Sequence, residues 1–300
     1  MRIAVAQMTS QTDAKDKNIA RATDLVSMAA ADRADLVVIP EFFNVEYFAQ
    51  HRDYRYLDYA EPINGPSISA IAATCARDRV WCVATILERA MAGAYYDTAA
   101  LIDRDGQIRG TYRKTHPAAV YGLEKIYFRY GAKYPVFTVE DWTVGIMICY
   151  DAFFPEVARS LALRGAELVV APFAAPRHPV WQAMHITRAF ENGVYLAVCN
   201  KVGREDDWTF SGQSLIVSPG GELLAEASGT DDDLITADID IVQVDQWRRR
   251  YPMFRDRRPE LYGALTAATE DIQPAPPPPA TGQSAHPNEQ PPEGAGDHRG

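Results

Sequence analysis

Thr143–Glu156 reads TVGIMICYDAFFPE: an apolar run from Val144 to Ile148 stops at Cys149, and polar and turn-forming residues follow before Pro155. A short uninterrupted apolar run fits a strand buried on both faces. Pro155 is placed to open a helix, Glu156 falls in its first turn, where the helix dipole favours an acid, and Gly165 marks its end. Strand, turn and helix make the unit of an α/β fold, and here they leave a thiol at the strand's exit. A cysteine taken alone is more often a small buried hydrophobe than a nucleophile, so the remainder of the chain decides what Cys149 does.

Tyr134–Val139 and Trp142–Ile148 flank Glu140-Asp141 as a hairpin that delivers Cys149. Tyr96–Asp103 and Gln107–Lys114 flank Arg104-Asp105-Gly106, a strong hairpin signal, and set Lys114 at a strand exit. At the N-terminus Arg2–Met8 reads as a strand, Ile19, Ala22, Val26 and Ala29 recur at helical spacing, and Asp35–Pro40 supplies a second strand with Glu41 just after it. Pro66 starts a helix whose apolar face carries Ile68, Ile71, Ala72 and Cys75, and Val80–Leu87 reads as a buried strand, so Cys75 and Cys82 have packing explanations. Downstream, Glu167–Val170 is a strand, Trp181–Asn192 a helix and Val194–Cys199 a strand that also ends on a cysteine, so spacing alone leaves Cys199 a rival to Cys149. Phe210–Val217 and Leu223–Ala227 straddle Pro219-Gly220-Gly221 as a last hairpin, and Leu234–Asp240 closes the sheet region. No internal repeat shows. From about Pro274 the chain turns Pro-, Gly- and polar-rich, which predicts one domain over residues 1–272 and a disordered tail over 273–300.

Three hundred residues, 47% of them hydrophobic, can bury one large core. A formal charge of −10 without a basic cluster on any predicted helix argues against nucleic acid and anionic membranes as partners and for a small molecule. Four scattered cysteines without a CxxC pair suit a reducing cytoplasm, and with neither a signal-peptide pattern nor a bilayer-length apolar run the chain reads as soluble and unexported. Hairpins interrupt the β-α alternation, so two mixed sheets packed face to face with helices outside fit better than a doubly wound parallel sheet.

Glu41, Lys114 and Cys149 then share one kind of address, each just after an apolar or β-like run. Brought together, they would supply a base for the thiol proton, a cation for developing oxyanion charge and a sulfur to attack a carbonyl or nitrile carbon. In order along the chain stand VIPEFF around Glu41, YRKTHP around Lys114, GLEK around Glu124, ICYDAFFPE around Cys149, then HITRAFENGVYLAVCNKVG and RRPELY. With these motifs the sequence resembles the nitrilase (carbon–nitrogen hydrolase) superfamily from Arg2 to about Tyr262. The resemblance implies an α-β-β-α four-layer sandwich, a homodimer or higher homo-oligomer, a Glu41-Lys114-Cys149 triad with Glu124 as a second carboxylate near the lysine, and neither metal nor organic cofactor. It also sets Cys149 above Cys199, because only Cys149 has this company.

On that reading Glu41 is general base for the Cys149 thiol and later for the hydrolytic water, Lys114 and the Tyr150 N–H bind the oxyanion, and Glu124 holds Lys114 or receives the substrate nitrogen. Asp151, Glu156, Arg188 and Asn200 read as structural, and His116 and His185 lack a recognisable metal-ligand spacing. Tyr150 and Ala174 are the first candidates for the substrate wall, followed by Phe42, Tyr47, Tyr121, Phe153, Trp181 and His116. Relatives acting on nitriles carry Trp-Glu after the nucleophile, where this chain has Tyr150-Asp151. Relatives that clamp an amino-acid carboxylate carry arginines where Ala152, Phe153 and Phe154 stand. FFPE and GLEKIYF resemble the N-carbamoylputrescine amidase branch, and Glu205, Asp206 and Asp207 could rim the site for a cationic substrate. The expected activity is cleavage of a small linear amide or N-carbamoyl amine with release of ammonia. A nitrilase, an acyltransferase and a non-catalytic member of the fold are the alternatives.

Overall fold

Val5, Val38 and Val83 stand abreast on neighbouring strands, and the alternation of their side chains sorts the first half of the molecule into layers. The computed structural model describes residues 1–120, 122–176 and 178–268. The first sheet consists of β1 (Arg2–Gln7), β2 (Leu36–Val38), β3 (Trp81–Met91), β4 (Ala94–Ile102), β5 (Ile108–Arg113) and β14 (Asp233–Asp238), in the order β14-β1-β2-β3-β4-β5. Its strands β1, β2 and β3 are parallel, and β14, β4 and β5 add antiparallel edges. One face presents Ala4, Ala6, Val37, Cys82, Ala84 and Ala100 to helices α1 (Lys15–Ala31) and α2 (Pro66–Asp78). The many alanines let the helix rows Ala22-Leu25-Val26-Ala29 and Ile68-Ile71-Cys75 approach closely. The other face turns Ile3, Val5, Leu36, Val38, Val83 and Leu101 toward the second sheet.

That second sheet comprises β6 (Val136–Val139), β7 (Trp142–Ile146), β8 (Leu168–Phe173), β9 (Tyr195–Asn200), β12 (Leu215–Val217) and β13 (Leu223–Glu226), in the order β13-β12-β9-β8-β7-β6. Helices α4 (Pro155–Leu163) and α5 (Trp181–Asn192) cover its outer face, and α6 (Ile241–Arg250) follows β14. The short helix α3 (Glu124–Tyr127) sits between the sheets' sequences, and a separate hairpin pairs β10 (Val202–Glu205) with β11 (Trp208–Ser211). The layers are helix, sheet, sheet, helix, as expected. Both sheets follow one scheme, an antiparallel edge, three parallel strands linked by two helices, then two antiparallel strands. This repeat is topological, carried by the pattern of burial and not by residue identity, which is why no repeat shows in the sequence.

Two local expectations need correction. Phe210–Val217 is not one strand: Gly212 and Gln213 take φ of 58° and 51°, so β11 ends at Ser211 and β12 starts at Leu215. Glu205-Asp206-Asp207 is not a loop rim, because Glu205 ends β10 and is 1% exposed, bonded to the buried Lys201 at 2.9 Å. The compact unit Met1–Asp256 holds all of these elements. A second unit begins at Arg257 and carries the helical turns Pro259–Leu261 and Gly263–Thr266. The expected tail 273–300 lies outside the described residues. Among those described, no helix is long and apolar enough to cross a membrane.

Candidate active site

Topology brings the chemistry to one end of the sandwich. Because β4 and β5 are successive antiparallel neighbours of β3, β5 exits at the same end as β2, and β4 enters there. Pro40 has no N–H to extend the β2 ladder, and the next N–H, that of Glu41, donates to the carbonyl of Phe173 at the end of β8 in the other sheet. Glu41, Lys114, Asp97 and Cys149 therefore converge from β2, β5, β4 and β7.

Lys114 is the hub. Its ammonium donates to Glu41 Oε1 at 2.7 Å and Glu124 Oε2 at 2.8 Å, with Asp97 Oδ2 at 3.4 Å, and all four side chains are fully buried. Burial alone would push Lys114 down, but Glu124 and Glu41, then Cys149 and Asp97, outweigh it and hold the ammonium well above the ordinary lysine range. Oxygens of Glu41, Asp97 and Glu124 lie within 4.8 Å of one another, a spacing that could serve a cation. The Lys114 ammonium takes that part here, hydrogen-bonded to Glu41 and Glu124 and 3.4 Å from Asp97.

Glu124 is saturated. Its Oε2 also accepts from the Ala118 N–H at 2.7 Å, and its Oε1 accepts from the Tyr47 hydroxyl at 2.8 Å. Burial raises the Glu124 carboxyl, opposed by Lys114. Two glycines permit this crowding. A Cβ on Gly122 would stand 2.5 Å from the Tyr47 hydroxyl, and one on Gly131 would stand 2.1 Å from the Arg113 carbonyl, where the loop returns against β5.

Cys149 sits at φ 46° and Phe42, just after Glu41, at φ 51°, both in the left-handed region that side chains other than glycine seldom adopt. The turn at Cys149 is fixed by Asp151, whose buried carboxylate accepts from Ile148 N at 3.0 Å, the Tyr112 hydroxyl at 2.6 Å, Thr115 Oγ1 at 2.9 Å and His116 N at 3.0 Å. Burial first, then the charge of Glu41, push the Cys149 thiol well above the usual thiol range, while Lys114 and the backbone of Ala174 pull it down. Cys199, in contrast, is wholly buried and donates to the Ala6 carbonyl at 3.4 Å, with burial its leading influence.

The remaining wall candidates divide by depth. Tyr150 and Phe153 are partly exposed and their rings meet at 5.3 Å; Phe153 also meets His178 edge-on. Ala174 contacts the thiol through its backbone, and Asn200 braces the following residue by bonding Ala175 N and O. His116 stacks on Phe154 at 3.9 Å and turns Nδ1 to Asp151. Phe42 and Tyr47 lie in an aromatic cluster with Phe48, Phe128 and Phe210, and Trp181 packs on Phe173 and donates to the Gln213 carbonyl. Tyr121 lies outside the described residues. Asp206 and Asp207 line a different basin of about 870 Å³ with Asp13, His51 and Arg55, which none of the Lys114 partners enters. Two groups escaped the sequence reading: Asp97, in mid-strand, and Lys201, whose pairing with Glu205 secures the Tyr47 N–H at 2.6 Å.

A four-layer sandwich that gathers a thiol, an ammonium and carboxyls at one end defines a hydrolase of the nitrilase-superfamily type. The chain belongs to the carbon–nitrogen hydrolase family, whose model matches residues 2–249, and it is a hydrolase of carbon–nitrogen bonds other than peptide bonds. It is 32% identical to an N-carbamoylputrescine amidase of Oryza sativa over 85% of this chain and 91% of that one. A nitrilase of Pyrococcus abyssi is 37% identical over 87% and 99%. Among solved structures, a variant of the Nesterenkonia sp. AN1 amidase superposes with a TM-score of 0.75 at 26% identity, covering 88% of this chain and 96% of that one. Its active-site cysteine carries the acetamide moiety of fluoroacetamide.

Proposed function

We propose that this protein hydrolyses a small linear amide or N-carbamoyl amine through a thioester, or its carbamoyl counterpart, on Cys149, releasing ammonia. The observation that carries the proposal is the buried Cys149 sulfur at a strand exit with φ of 46°, in electrostatic contact with Glu41 and Lys114. Glu41 accepts the thiol proton as sulfur adds to the carbonyl carbon. The tetrahedral oxyanion is held by the Lys114 ammonium and by the N–H of Tyr150, the second residue of the 3-10 turn Cys149–Phe153, whose first N–H groups have no partner within it. Glu41 then gives its proton to the departing nitrogen, ammonia leaves, and a water activated by Glu41 cleaves the acyl sulfur bond and restores the thiol.

The rim supports a slim substrate. Phe153 and Tyr150 offer apolar edges, and the Arg188 guanidinium is committed to the Ala152 carbonyl and Glu191. The resemblance to an enzyme named nitrilase keeps a nitrile as the second reading. An ammonia-release screen over amides, ureido compounds and nitriles, with and without an amine acceptor, separates these. Turnover of nitriles alone, or acyl transfer without hydrolysis, would refute the proposal.

A further inference from the structure

One ammonium, that of Lys114, faces the carboxyls of Glu41, Glu124 and Asp97 in a region closed to water. Three ionised acids about one cation would leave two net negative charges buried, an arrangement whose cost is relieved when one acid keeps its proton. Hydrogen-bond accounting says which. Glu124 accepts from Lys114, Ala118 and Tyr47, and Glu41 Oε1 accepts from Lys114. Glu41 Oε2 and both oxygens of Asp97 lack hydrogen-bond partners when every acid is drawn ionised, the 3.4 Å contact to Lys114 apart.

We propose that the Asp97 carboxyl keeps its proton through turnover and donates it to Oε2 of Glu41, making Asp97 the positioning residue of the catalytic base. One shared proton satisfies both orphaned groups and lowers the buried charge at once. Burial, followed by the charge of Glu41, pushes the Asp97 carboxyl well above the usual range, against the pull of Lys114, in agreement with the geometry. With its second oxygen held, Glu41 keeps one face on Lys114 and one edge for the Cys149 proton. The charged groups facing Asp97 are Glu41 after β2, Lys114 after β5 and Glu124 on α3.

The inference rests on Glu41 as base, and its test does not need the substrate. Infrared spectra of wild type carrying 13C-labelled aspartate at neutral pH should contain an isotope-shifted carbonyl stretch of a protonated acid; its absence overturns the proposal. For the variant Asp97→Asn, the pH profile of Cys149 alkylation by iodoacetamide should stay within about 0.3 unit of wild type, since a neutral group replaces a neutral group. Removing an ionised neighbour would instead lower that profile by about a unit or more, contradicting the proposal. Where wild type releases ammonia from propionamide, D97N, whose amide can still donate to Oε2, should keep kcat within about threefold and D97A lose about tenfold or more. Equal loss in both variants, with folding preserved, overturns it. A wild type that releases ammonia from no amide or ureido compound but shows the infrared band would sink the substrate reading alone.

Discussion

On the proposed mechanism the Cys149 thiol, pushed up by burial and the charge of Glu41, gives up its proton as sulfur attacks. Glu41 is the group in place to take it. The variant Glu41→Gln should keep its fold and lose about 10²–10⁴-fold in kcat, with no burst of ammonia in the first turnover; a normal burst would contradict the base assignment. Gly122→Ala tests the outer support, because the added methyl meets the Tyr47 hydroxyl and displaces it from Glu124. We expect kcat about tenfold lower with a smaller change in KM, measured by ammonia release. Glu41, Lys114 and Cys149 were legible because each stands where a strand pattern breaks, and Glu124 through the resemblance that GLEK helps to carry. Asp97 was not: in YYDTAALID it reads as a polar position of a strand edge, and only the convergence of β2, β4 and β5 makes it buried. Its one signal was an acid two residues before the apolar run Ala99–Ile102.

At the level of elements, the turn after β7 depends on Asp151 more than on its own propensity. Asp151→Ala would orphan the buried Ile148 N–H and take from the Tyr112 hydroxyl its 2.6 Å partner, and should cost about 2–4 kcal/mol in urea unfolding. Helix α5 carries a second sensitivity. His185 is wholly buried against Phe173 and Trp181, and desolvation lowers its pKa to about 3. The unfolded chain binds that proton near pH 6.5, so stability is complete above this value and declines as pH falls toward 3, by about 1.4 kcal/mol per unit. His185→Gln should flatten that part of the stability profile, and an unchanged slope would show that another group governs it. Helices and hairpins were readable from period and turn residues, with α5 falling on Trp181–Asn192 as expected. The β10–β11 hairpin was not, because its turn residues Asp206 and Asp207 look like a solvated acidic loop, and the i,i+4 pair Lys201–Glu205 is buried by tertiary packing alone.

For the molecule as a whole, two sheets built on one scheme meet back to back, and the thiol and its base come from opposite sheets. The Glu41 N–H bonded to the Phe173 carbonyl is the seam that sets their separation. The sequence pattern indicated two mixed sheets; the layer order came from the resemblance, since periodicity cannot say which sheet faces which. A chain ending at residue 272 is expected to release ammonia at the full rate, which a side-by-side assay checks. The central claim, covalent catalysis by Cys149, is tested most directly by mass spectrometry of enzyme quenched in acid during turnover of an amide it cleaves. The acyl group should be found on the peptide containing Cys149 in wild type and be missing from a folded Cys149→Ala variant that releases no ammonia. Ammonia release by that variant, or an acyl group on any other residue, would contradict the account.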